Sequence, residues 1–127
     1  MTFVYIAFFA VLGAFARYGQ TLAVQGFLGR GFPFATLSIN VLGSFLMGFL
    51  FFETLERVNV SPDLRTGILT GGLGAYTTFS TFSLETLNLI ENGDWAKAGL
   101  YVAASVLLSI GAAILGAFLS RNLGVSA

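Results

Sequence analysis

The residues with most chemistry to offer are crowded into positions 71–83, which read Gly-Gly-Leu-Gly-Ala-Tyr-Thr-Thr-Phe-Ser-Thr-Phe-Ser. Three glycines precede five hydroxyl residues between Thr77 and Ser83, inside an apolar stretch whose midpoint falls near Thr78. Glycine is unfavourable in a helix interior. A helix that loosens at mid-membrane exposes backbone groups that lipid cannot satisfy, so such a break survives only inside protein or beside water. Carbonyls freed at Gly74 and Thr77 would be hard oxygen ligands, suited to Na⁺ or a similar cation. The alternative is that the glycines form a close-packing seam and the hydroxyls bond back to their own helix.

Other stretches supply matching polar groups. Asn40, with Thr36 and Ser38 a turn before it, is an amide at membrane depth that requires a partner helix or a permeant species. Tyr101, Ser105 and Ser109 recur at i, i+4 and i+8, a hydroxyl stripe that continues as Ala113 and Ala117 and reads either as a pathway or as a packing face. Phe79 and Phe82, three apart, share a face where that half is helical. Hydroxyls, an amide N–H and the positive edges of phenyl rings are all donors, and no intramembrane carboxylate follows until Glu85. The set favours a small, strongly hydrated anion on a narrow path with several sites. Arg17 would either raise anion concentration at a vestibule or snorkel, and Glu85 would snorkel or pair with a basic group.

Composition restricts what can hold these groups. The 127 residues are 56% apolar and 9% charged, with six basic and six acidic side chains, whereas a soluble domain carries roughly 25% charged residues. The chain is therefore read as a membrane protein. Zero net charge and the lack of any Lys/Arg cluster argue against nucleic acid. With no Cys and no His, disulfides, thiol nucleophiles and imidazole or thiolate metal sites are excluded. Ser80 and Ser105 have no carboxylate, lysine or histidine at helical spacing to act as a base, and Gly-Gly-Leu-Gly lacks the Lys-Ser/Thr of a phosphate loop, so an enzyme is not expected.

A crossing helix needs about 20 mostly apolar residues, and four windows qualify: 3–24, 34–52, 66–90 and 98–120. The first has no basic leader before it and no small-residue cleavage site, which predicts a retained span. Every charge except Arg17 and Glu85 falls in a connection or the tail. Pro33, Ser61-Pro62-Asp63 and Asn92-Gly93-Asp94 mark helix starts. The fold class is an all-α membrane protein, a single domain of four transmembrane helices with the third broken. Arg57, Arg65 and Arg121 fall on one side of the membrane, against Arg30, Lys97 and Arg17 toward the other. So even a ledger leaves orientation to some other determinant, or predicts insertion both ways and an antiparallel homodimer.

The stretch Gly74-Ala-Tyr-Thr-Thr-Phe-Ser-Thr-Phe-Ser83 closely resembles the GGLTTFSTFS signature of the Fluc (CrcB) fluoride channels. Thr36-Leu-Ser-Ile-Asn40-Val-Leu-Gly43, Arg17 and the Tyr101, Ser105, Ser109 spacing extend the resemblance over all four spans. The resemblance implies a dual-topology antiparallel homodimer in the cell (inner) membrane, with two fluoride pores and a central structural Na⁺. It implies Na⁺-ligating carbonyls at Gly74 and Thr77, pore phenylalanines at Phe79 and Phe82, a pore asparagine at Asn40, and a polar track of Ser80, Thr81, Tyr101, Ser105 and Ser109. Glu85 matches the acidic residue after the signature. The chain departs at Ala75 and Tyr76, where the pattern commonly has Gly-Leu.

The function expected is passive export of cytoplasmic fluoride, protecting against its toxicity. The alternative is a small multidrug-type proton-coupled antiporter, for which Glu85 is the one carboxylate within the first three spans. A noncatalytic packing subunit would have no use for a hydroxyl-rich break.

Overall fold

In a computed structural model, residues 1–126 are described, together with all their side chains except those of Arg57 and residues 124–126. The basic side chain of Arg57 in the charge ledger thus lies outside the described residues. The described chain is helical, with helix α1 at Thr2–Leu28 and α2 at Phe34–Phe52. Helix α2 widens into a π-helical turn, Glu53–Arg57, before the second connection.

The third segment comes in pieces. Helix α3, Pro62–Thr66, runs into a π-helical stretch, Gly67–Leu73, and then a last short turn, α4, at Gly74–Tyr76. Helix α5, Phe79–Glu91, follows a gap at Thr77 and Thr78, and α6 spans Trp95–Ser126.

Local chemistry sets these limits. Ser61 caps α3, its Oγ accepting from the Leu64 amide at 3.2 Å, and Pro62 takes the first helical position, where its missing N–H costs nothing. Gly93, at φ 80°, makes the left-handed turn between α5 and α6. Arg65 fastens the second connection: Nε donates to Thr54 Oγ1 and Nη2 to the Phe51 carbonyl, each at 2.9 Å, with the guanidinium over the Phe51 ring. The helices overrun the expected spans, α1 reaching Leu28, the third segment starting at Pro62 and α6 at Trp95. Hydropathy marks the part of a helix that lipid covers, whereas Gln25, Asp63 and Lys97 remain compatible with helix beyond it.

Among the described residues, three helices are long and apolar enough to cross a membrane: Thr2–Leu28, Phe34–Glu56 and Trp95–Leu123. Residues 62–76 and 79–91 reach about 22 and 20 Å at 1.5 Å per residue. Neither piece crosses an apolar core of about 30 Å alone, but the two in series are long enough. Side chains such as Phe27, 90% exposed, face outward as lipid requires.

Glycines bring the backbones close. Gly67 and Gly71 lie against Tyr5 and Ile6, and a Cβ on Gly13 would collide with the Gly72 carbonyl, so α1 and the third segment touch backbone to backbone. Gly48 meets the Ala113 carbonyl and Gly116 meets Phe45, which joins α2 to α6 in the same way. The glycines are therefore the close-packing seam: Gly67, Gly71 and Gly72 stay helical, as does Gly74, and the third segment parts from helix beyond them, at Thr77 and Thr78.

Candidate ion path at the helix break

The break is built by side chains that take over the backbone's bonds. Thr78 is extended and caps α5, its Oγ1 accepting from the Thr81 amide at 3.2 Å. The same hydroxyl donates to Thr81 Oγ1 at 3.1 Å and lies 3.4 Å from Ser80 Oγ. From α2, Asn40 Oδ1 accepts from the Thr78 amide at 2.8 Å while Nδ2 donates to the Thr78 carbonyl at 3.0 Å. An α-helical turn would send the Thr78 amide to the Gly74 carbonyl and the Thr81 amide to the Thr77 carbonyl. Both amides are instead engaged by side chains. The other hydroxyls bond back along their own helix, Thr77 to the Leu73 carbonyl and Ser83 to the Phe79 carbonyl.

A groove of about 470 Å³ runs past the break between α2, α5 and α6. Asn40, Thr77, Thr78, Phe79, Phe82, Ser105 and Ser109 line it, and no charged side chain among the described residues does. The Phe79 and Phe82 rings lie 5.5 Å apart, with Phe79 78% exposed on the open side. Ser105 is buried, and its Oγ has no hydrogen-bond partner.

Behind Phe82 the polar residues continue. The Tyr101 ring packs edge-on against Phe82 at 5.1 Å and Phe32 at 5.6 Å, and its hydroxyl donates to Glu85 Oε1 at 2.9 Å. Glu85 lines a separate pocket of about 240 Å³ with Arg30 and Asn88, beside the first connection.

The structure thus brings Asn40, Phe79, Phe82, Ser105 and Ser109 to one groove, and sets Tyr101 and Glu85 behind it. Ser80, Thr81 and Arg17 do not line it: the first two serve the α5 cap, and Arg17 sits on α1. Sequence reasoning missed Gln20, which accepts a hydrogen bond from the Tyr76 hydroxyl. The signal was present, since a glutamine inside a span demands a partner just as Asn40 does. It also missed the buried carboxylate of Glu53, which accepts from Ser120 Oγ at 3.0 Å.

Residues 4–117 match the family described as CrcB-like protein, Camphor Resistance (CrcB). The chain belongs to the CrcB family. Among CrcB relatives, a "Fluoride-specific ion channel FluC" of Acidithiobacillus ferrooxidans is 72% identical over 121 residues, covering 95% of this chain and 97% of the relative. Proteins of the same name from Magnetococcus marinus and Geobacter metallireducens are 50% and 44% identical, over 95% and 97% of this chain and 98% and 99% of their own. None of these CrcB names describes an antiporter, and Glu85, the carboxylate that reading needs, is engaged by Tyr101.

Proposed function

We propose that the chain is a passive, fluoride-selective channel that lets fluoride leave the cytoplasm across the cell membrane and so protects against fluoride toxicity. The observation that carries this reading is the unpartnered Ser105 hydroxyl, buried in the groove lined by Asn40, Phe79, Phe82 and Ser109. A buried donor without a partner is costly at membrane depth. A dehydrated anion moving along the groove supplies the missing acceptor, and the phenyl edges and the remaining Asn40 amide proton add further donors. The lack of charge among the lining residues favours exit as well as entry, because no cation is fixed there to trap an anion. Which anion is meant comes from the relatives, named for fluoride. An inside-negative potential drives an anion outward with about 2.3 kcal/mol per charge per 100 mV, so export needs no coupling.

The groove is open along the side where Phe79 is exposed. A second, antiparallel copy closes it and gives two pores per dimer, an arrangement the balanced Arg/Lys ledger suits. Gly74 and Thr77 offer carbonyl oxygens whose α-helical donors are engaged elsewhere, the hard-ligand chemistry that Na⁺ takes. Na⁺ at the dimer centre would be held by those carbonyl oxygens and would give them the partner that their helix does not. Ser80 and Thr81 serve the path by holding Thr78, and Tyr101 and Glu85 extend it behind Phe82.

The test is fluoride efflux from liposomes carrying the purified protein, read by a fluoride electrode, with chloride and a lipophilic cation in parallel. Rapid fluoride release without proton coupling, lost on Phe79→Ile or Phe82→Ile, is expected. No release from well-folded protein, or pH-driven movement of the cation, would overturn the channel.

A further inference from the structure

The break is held from two sides by residues two positions apart on α2. Asn40 holds Thr78, on the α5 side of the gap, and Ser38 reaches the α4 side through an intermediary. Tyr76, the last helical residue before the gap, is 7% exposed and donates its hydroxyl proton to Gln20 Oε1 on α1. Gln20 Nε2 donates to Ser38 Oγ at 3.1 Å, and Ser38 Oγ donates to the Ala35 carbonyl at 2.8 Å. The relay joins α1, α2 and α4, and each group is used in a direction its chemistry permits.

The Tyr76 ring is wedged as well as bonded. It packs with Ile39, Leu69 and Leu73, and a Cβ on Gly43 would lie 3.2 Å from its edge. Helix α4 is the last turn of the helical run 62–76 and ends at the gap, with no helix directly beyond it to hold its direction. The contacts of Tyr76 fasten that end to α1 and α2. Any turn of α4 away from α1 would separate the Tyr76 hydroxyl from Gln20 and leave a buried and a half-buried polar group without each other.

We propose that Gln20 and Tyr76 are positioning residues for the ion path: together they fix the direction in which the chain leaves α4, and so place Thr77, Thr78 and the Phe79 ring. Neither lines the groove where Phe79, Phe82 and Ser105 meet, so the pair acts through the break. The transport consequence rests on the channel reading above, while the geometric one does not.

The experiment compares the full-length protein with Tyr76→Phe, Gln20→Leu and the double variant in lipid nanodiscs and liposomes. Losing one partner strands the other, whereas removing both leaves apolar groups of similar shape, so the double variant is expected to recover thermal stability close to the starting protein. A positioning role predicts that the double variant still exchanges the Thr77–Phe79 amides about tenfold faster and releases fluoride about tenfold more slowly, the factor that one lost hydrogen bond corresponds to. Exchange and efflux that return together with stability would overturn the proposal and leave the pair a packing element. Faster exchange with unchanged efflux would overturn it too. Should the double variant fail to fold, Tyr76→Phe, which removes a single oxygen, carries the same two readouts: exchange accelerated at Thr77–Phe79 beyond the seam amides of Gly67–Leu73, with slower efflux, is expected, and equal acceleration at both or unchanged efflux would overturn the proposal. If the starting protein releases no fluoride, the channel reading falls, and amide exchange alone still decides whether the pair places the break.

Discussion

Asn40 and Thr78 are joined by two hydrogen bonds across the helix gap, one accepted from the Thr78 amide at 2.8 Å and one donated to its carbonyl at 3.0 Å. A single side chain thus satisfies both backbone groups of the extended residue from which α5 starts. Asn40→Ala strands the two buried groups at about 1–3 kcal/mol each. A drop in thermal stability of that size is expected, with faster exchange of the Thr78 amide. Unchanged stability would mean that the break is held by other contacts.

Ser105 separates folding from transport. Its hydroxyl is buried and unpartnered, so Ser105→Ala removes a polar atom that contributes nothing to the fold. Stability is expected to stay level or rise by about 1 kcal/mol, while fluoride efflux falls about tenfold, the worth of one hydrogen bond to the ion. Reduced stability with efflux intact would make the hydroxyl a fold element.

The glycine seam is tested by position. A Cβ at Gly13 collides with the Gly72 carbonyl, whereas one at Gly19 on the same helix meets nothing within 4 Å. Gly13→Ala is expected to destabilise the protein by about 1–3 kcal/mol. Gly19→Ala should stabilise by up to about 1 kcal/mol through helix propensity. Equal melting temperatures for the two would refute backbone contact between α1 and the third segment.

Dual topology is tested by charge. Lysines added to the first connection should bias insertion one way and abolish efflux. Co-expression with a copy carrying lysines in the second connection should restore it. Full activity from either biased copy alone would rule out the antiparallel dimer.

Much of the fold was legible in the sequence because membrane helices announce themselves by apolar length, and because Ser61-Pro62 and Asn92-Gly93 are local signals that act where they stand. The family was legible from the residues around Thr77–Ser83. Roles within that stretch were harder to read. Gly72 and Gly74 look equally suited to breaking a helix, yet Gly72 lies in the seam with α1, and the break falls on two β-branched threonines.

By itself the sequence determined that the chain lives in lipid, where its helices begin, and that the third span interrupts itself, since each depends on the residues locally present. Tertiary structure alone decided which polar groups serve the break and which face the groove. Thr81 and Ser105 are both hydroxyls at membrane depth, but Thr81 spends its bonds on Thr78 while Ser105 keeps its own unmade. Gln20 meets Tyr76 across 56 residues of chain. Hydrogen bonds are satisfied by proximity in space, and no spacing along a single chain states which helix will stand opposite.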